Sequence, residues 1–168
     1  MSTVWTVGSD HHAFWVGTQD WGYAEDRTRI PIGGLLLAFS GRLGAYVITK
    51  VHTGLVNVEV QYHTARPHLD FGAWEDSDLV LIESPLGDLC ILPIFGYGDF
   101  IDSIVPGPGT YAVCCSSNGR DTAADDHEAE PPVEFYRFDI WPAAAGDGNT
   151  SLKQTSAWGK EALATFRE

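Results

Sequence analysis

The chain has 168 residues, 44% hydrophobic and 12% aromatic; one domain of that size buries roughly 70% of its unfolded surface without a metal or disulfide staple, which excludes a disordered acidic tail. With 23 acidic against 10 basic residues the net charge is -13. That sets the protein against nucleic-acid phosphates and anionic membranes as partners and favours a cationic one, although acidity that only maintains solubility explains the same number.

The opening MSTVWTVGSD lacks a basic stretch followed by an apolar core, and the longest apolar run, residues 35–39, is too short to span a bilayer. A cytoplasmic location is therefore expected. Strands are predicted over residues 4–8 and 13–18. The loop that follows holds Trp21, Tyr23, Glu25, Asp26, Arg27 and Arg29. Loop aromatics of this kind either anchor an interface or close one end of the core.

A strand over 34–40 precedes the β-rich segment 45–52. Beyond a turn at His52, Thr53 and Gly54, residues 55–63 alternate, with Val56, Val58, Val60 and Tyr62 on one face and Asn57, Glu59, Gln61 and His63 on the other. These two segments are expected to pair as an antiparallel hairpin. The next loop contains His68, Asp70, Phe71, Trp74, Glu75 and Asp76 and admits the same two readings as the first.

Strands over 78–83 and 89–94 flank the turn residues Pro85, Leu86, Gly87 and Asp88. The stretch PGPGTYAVCCS then runs from a stiff proline-glycine turn into a strand over 110–116. Within it Cys114 and Cys115 must point to opposite faces. Three cysteines in all make no disulfide framework.

Between residues 119 and 134 lie Asp121, Asp125, Asp126, Glu128, Glu130 and Glu134, with Arg120 and His127. So many carboxylates on one connection form a negative lobe able to steer a basic partner and to mimic a phosphate backbone. A solvated loop that resists aggregation is the alternative.

The last strand, 133–141, is expected at the centre of a sheet. After a small-residue stretch, Ser156 can cap a helix carrying Trp158, Ala162 and Phe166 on one side, weakened by Gly159. These elements make an all-β, antiparallel two-sheet sandwich over residues 1–142, with 143–168 as a linker and one C-terminal helix packed on it.

Other chemistry finds little support. His11, His12, His63, His68, Asp70 and His127 have no zinc-site spacing, so no metal is expected. The chain has no GxSxG element, and Gly107 and Gly109 are turn glycines rather than a phosphate loop. A non-enzymatic protein without a cofactor is the expectation.

The elements PGPGTYAVCCS, the acidic loop and VEFYRFDIWP together resemble a family of small, uncharacterised bacterial β-sandwich proteins. More distantly, Pro108, Gly109, Tyr111 and Cys115, followed by an acidic excursion and a final strand, resemble the competence protein J family, inhibitors of the nuclease through which DNA enters. That resemblance implies an inhibitor or immunity-type protein that masks a basic nuclease toxin, with acidic residues in place of phosphates. The partner-binding set is then Asp121, Asp125, Asp126, Glu128 and Glu130, with Trp21, Tyr23 and Trp74 as apolar anchors. A small-ligand or carbohydrate-binding sandwich, its loop tryptophans stacking on a sugar ring, is the alternative.

Overall fold

A computed structural model describes residues 3–23, 26, 28–122 and 131–167. In chain order the strands are β1 (Val4–Ser9), β2 (Ala13–Gly17), β3 (Arg29–Pro31), β4 (Leu36–Phe39), β5 (Gly44–Ile48), β6 (Gly54–Tyr62), β7 (Asp76–Ser84), β8 (Cys90–Leu92), β9 (Gly109–Asn118), β10 (Phe135–Pro142) and β11 (Thr150–Gln154), followed by helix α1 (Ala157–Phe166). They form two sheets, a six-stranded one in the order β1-β6-β10-β9-β7-β11 and a five-stranded one in the order β3-β4-β5-β2-β8. The expected all-β sandwich with one C-terminal helix is what the chain adopts. Its strand pairs are antiparallel apart from β6 and β10, which run parallel.

Alternation explains the core. Phe14, Val16, Leu36 and Val47 of the smaller sheet meet Val56, Val58, Val80, Ile82, Val113, Cys115, Phe138 and Ile140 of the larger one. Strand β10 is central, between β6 and β9, as its composition implied. Strand β9 is buried on both faces: Cys115 points into the core, while Cys114 packs outside it with Leu79, Ala112 and Trp141. Its opening turn is tied down by the Tyr111 hydroxyl, which donates to Gly107 O at 2.6 Å.

The expected hairpin between 45–52 and 55–63 does not form. Strand β5 pairs with β2 and β4 in the smaller sheet, whereas β6 pairs with β1 and β10 in the larger. The connection crosses between layers because Lys50 N and Val51 N donate, each at 2.8 Å, to the Glu134 carboxylate, 84 and 83 residues away in sequence. That bond set peels the chain off its neighbour. The turn at Pro85–Asp88 likewise joins the two sheets, since β7 and β8 belong to different layers.

The tail beyond Pro142 differs from a plain linker. Residues Thr150–Gln154 form edge strand β11, paired with β7 across a bulge between Ser151 and Lys153. Ser156 caps α1 as expected, its hydroxyl accepting from Gly159 N at 2.9 Å. No helix among the described residues is long and apolar enough to cross a membrane.

Candidate functional site

The acidic connection leaves β9 and returns to β10 through two fixed footings. At the first, Gly119 sits at φ +87°, and a Cβ there would lie 2.3 Å from Val133 O, so only glycine lets the outgoing and returning chains pass in contact. Arg120 then turns inward and is fully buried. It donates to Gly34 O at 2.7 Å and to Ile48 O at 3.1 Å, and it forms an ion pair with Asp76. Burial opposes its charge, but Tyr136, Asp76 and Glu134 outweigh that and keep it protonated.

Asp121 is exposed, yet its carboxylate accepts from Ala157 N and Trp158 N, both at 2.9 Å. It therefore satisfies the first free amides of α1 and complements the positive end of the helix. At the second footing Glu134, 2% exposed, accepts from Lys50 N, Val51 N and the Tyr136 hydroxyl at 2.6 Å. Burial and the adjacent Glu134 push the Tyr136 phenol well above its ordinary range. Asp125, Asp126, Glu128 and Glu130, as well as His127, lie outside the described residues.

The expected aromatic anchors separate. Trp21 stacks on Trp15 at 4.9 Å and meets Phe39 and Tyr46 edge-on at 6.2 and 5.6 Å, against the outer face of the five-stranded sheet. This is a lid on an aromatic cluster. The Tyr23 side chain lies outside what the structure describes. Trp74 precedes β7 beside the other sheet, 6.4 Å from the Phe135 ring of β10. Trp21 and Trp74 therefore do not share a groove.

Trp74 lines a cleft of about 310 Å³ together with His63, His68, Asp70, Arg137 and Asp139. Alternation places Arg137 and Asp139 on the outward face of β10, opposite Phe138 in the core. Asp139 accepts from Arg137 Nε at 3.0 Å and Nη2 at 3.1 Å, and bonds His63 Nε2 at 2.7 Å. Hydrogen bonding to Asp139 holds the Arg137 guanidinium above its ordinary pKa. An imidazole oriented by a carboxylate is half of a proton-transfer pair; binding a hydroxyl or carboxylate of a ligand is the simpler use of the same groups. Among the described residues no three His, Cys, Asp or Glu side chains gather at metal-binding range.

Arg120 and Glu134 stand in sequence within the acidic run, yet they are 0% and 2% exposed. Both belong to the interior. The signal for Glu134 was its position at the start of a strand whose next residues alternate into the core; Arg120 carried none.

No protein-family model matches the chain, and no curated protein matches it significantly. Two solved structures share its fold. ComJ from Bacillus subtilis, inhibitor of the DNA degrading activity of NucA, superposes with a TM-score of 0.54 at 13% identity, covering 85% of this chain and 99% of that one. Crocagin biosynthetic gene J superposes with a TM-score of 0.52, also at 13% identity, covering 86% and 99%. The likeness to competence protein J therefore extends over most of the chain, as a likeness of fold.

Proposed function

We propose that this chain is a non-enzymatic protein-binding module, an acidic inhibitor of the immunity type that masks a basic, nuclease-type partner. The observation that carries the reading is the double footing of the acidic connection. In a chain of net charge -13, the segment bearing Asp125, Asp126, Glu128 and Glu130 springs from Arg120 and Glu134, two buried groups bonded across both sheets. Fixed ends hold both entrances of the acidic run at one place on the surface. The fold shared with a nuclease inhibitor supports the same reading.

The mechanism is electrostatic encounter followed by burial of apolar surface, so affinity falls steeply as salt rises. Asp121 contributes through the helix it caps more than through a free charge. The test is affinity purification with the intact protein and with Asp125→Asn, Asp126→Asn, Glu128→Gln and Glu130→Gln combined, leaving Asp121 alone. A basic protein held by the first and lost by the second is expected. Retention of every partner by the neutralised variant removes the acidic connection from the interface.

A second reading, small-ligand or carbohydrate binding, draws on the cleft that Trp74 lines together with Asp70 and Asp139. It stands without Trp21.

A further inference from the structure

Strands β2, β4 and β5 turn alternate side chains away from the sandwich core, and on that outer face Ala13, Leu37 and Ile48 form an apolar floor. Ordinarily such a face is covered. Here Trp21 and the aromatic cluster cover one part, and Ala162 and Phe166 of α1 pack on another. Between the two covers lies an open cleft of about 450 Å³, with Tyr46, Ile94, Phe95 and Phe166 as its walls. Phe95 is 66% exposed. A volume in this range, apolar inside with a few polar groups at its mouth, is that of a small-molecule site.

The mouth identifies the ligand's polar end. It holds Arg29, His11 and Asp10. Asp10 is already occupied, accepting from His11 N at 2.9 Å and the Thr53 hydroxyl at 3.0 Å. Arg29 is exposed, rests 5.7 Å above the Tyr46 ring and makes no ion pair among the described residues. In a protein this acidic, a cation held at the lip of an apolar cleft selects an anionic head group. His11 lines the same cleft, its ring 5.9 Å from Phe95 and its Nδ1 3.3 Å from Asp10, while its backbone is held at φ 51°.

We propose that this cleft binds a small amphipathic anion, an aryl or medium-chain alkyl carboxylate or sulfonate, with its apolar body on Ala13, Leu37 and Ile48 and its head group on Arg29. The cleft meets the last turn of α1, whereas Asp121 meets the first.

The full chain is titrated with the fluorescent anion 8-anilinonaphthalene-1-sulfonate, with neutral N-phenyl-1-naphthylamine as the uncharged control and decanoate as competitor. One saturable site displaced by decanoate is expected. Arg29→Gln, a surface change, weakens the two anions about tenfold and the neutral probe less than twofold, with Arg29→Lys intermediate. Ile94→Trp, which fills the cleft, lowers the affinity of all three. Equal sulfonate affinity in the intact protein and Arg29→Gln overturns the proposal, as does several-site binding indifferent to Ile94→Trp. A dimer in sedimentation that excludes the probe also overturns it, by making a second copy the occupant.

Discussion

The Arg120 guanidinium and the Asp76 carboxylate form an ion pair with neither side chain reached by solvent, 0% and 1% exposed. Asp76 also accepts from Thr155 N, Ser156 N and the Ser156 hydroxyl, so one carboxylate joins β7, the exit of β9 and the start of α1. Arg120 adds the carbonyls of Gly34, in the bend before β4, and of Ile48 in β5 of the other sheet. Removing one partner of such a pair strands the other charge. Arg120→Met is therefore expected to cost about 3–5 kcal/mol in urea unfolding. Combining it with Asp76→Asn should cost less than the sum of the two single changes; additive costs show that the groups act independently.

Two buried acids on β7 respond to pH in opposite senses. Burial raises the Asp76 pKa, but the Ser156 hydroxyl and Arg120 outweigh it and hold the carboxyl below its ordinary value. Its contribution is present above the unfolded pKa of about 3.9 and fades as pH falls through the lower folded value. Asp78 is pushed up by burial, despite bonds from Leu36 N at 3.0 Å and Leu35 N at 3.2 Å. Its contribution is complete below about pH 3.9 and fades as pH rises through the elevated folded value. Urea midpoints measured from acid to neutral pH carry both contributions, and Asp78→Asn should remove the declining one, raising the neutral-pH midpoint relative to the acid one. An unchanged profile means that Asp78 ionises freely in the folded protein.

Helix propensity and packing disagree at Gly159. Propensity alone favours Gly159→Ala by about 1 kcal/mol. In the structure a Cβ there would meet Arg120 Nη2 at 2.7 Å and Ser156 Oγ at 2.8 Å, and a Cβ on Gly34 would meet Gly159 O at 1.8 Å. Both substitutions are expected to destabilise, Gly159→Ala by about 1–3 kcal/mol and Gly34→Ala by more, because the latter strikes backbone. Thermal melts of the two variants decide the sign, and a more stable Gly159→Ala shows that Arg120 can give way.

The thiols make a chemical probe of the same core. Burial, with the charges of Asp88, Asp102 and Asp20, pushes Cys90 up to about 12, and burial, with Asp139, pushes Cys114 up to about 12. Burial lifts Cys115 well above its ordinary value. All three should react with a disulfide reagent only as fast as the protein unfolds. Prompt modification of one thiol at neutral pH identifies a local opening.

Local patterns carried the strands and the helix cap: the alternation of Val56, Val58 and Val60, the turn glycines before Tyr111, and Ser156 three residues before Gly159. What escaped was set by distant bonds. Nothing near Lys50 and Val51 announces that Glu134 will take their amides, yet that contact converts an expected hairpin into a crossover between sheets. Strand β11 was invisible because Thr150, Ser151, Lys153 and Gln154 are polar, as suits an edge exposed to water. At the candidate sites the acidic run was legible by composition. The cleft over Ala13, Leu37 and Ile48 was not, since it is assembled from three strands that read simply as core.

The turn from β1 into β2 offers a test of strain against use. Asp10 and Ala13 exchange both backbone hydrogen bonds, at 3.0 and 3.1 Å, around His11 and His12 at φ 51° and 63°. Two-residue turns with both φ values positive favour Asn and Gly, and a bulky residue held there costs of order 1–3 kcal/mol. His11 recovers part of this through ring contacts with His52 at 5.0 Å and Phe95 at 5.9 Å. His11→Asn is therefore expected to stabilise the fold by up to about 1 kcal/mol. It also removes a ring that lines the apolar cleft beside Phe95, so the affinity for the sulfonate probe should fall in the same variant. Stability rising while binding weakens indicates backbone strain retained for the ligand; stability rising with binding unchanged disconnects the turn from the cleft.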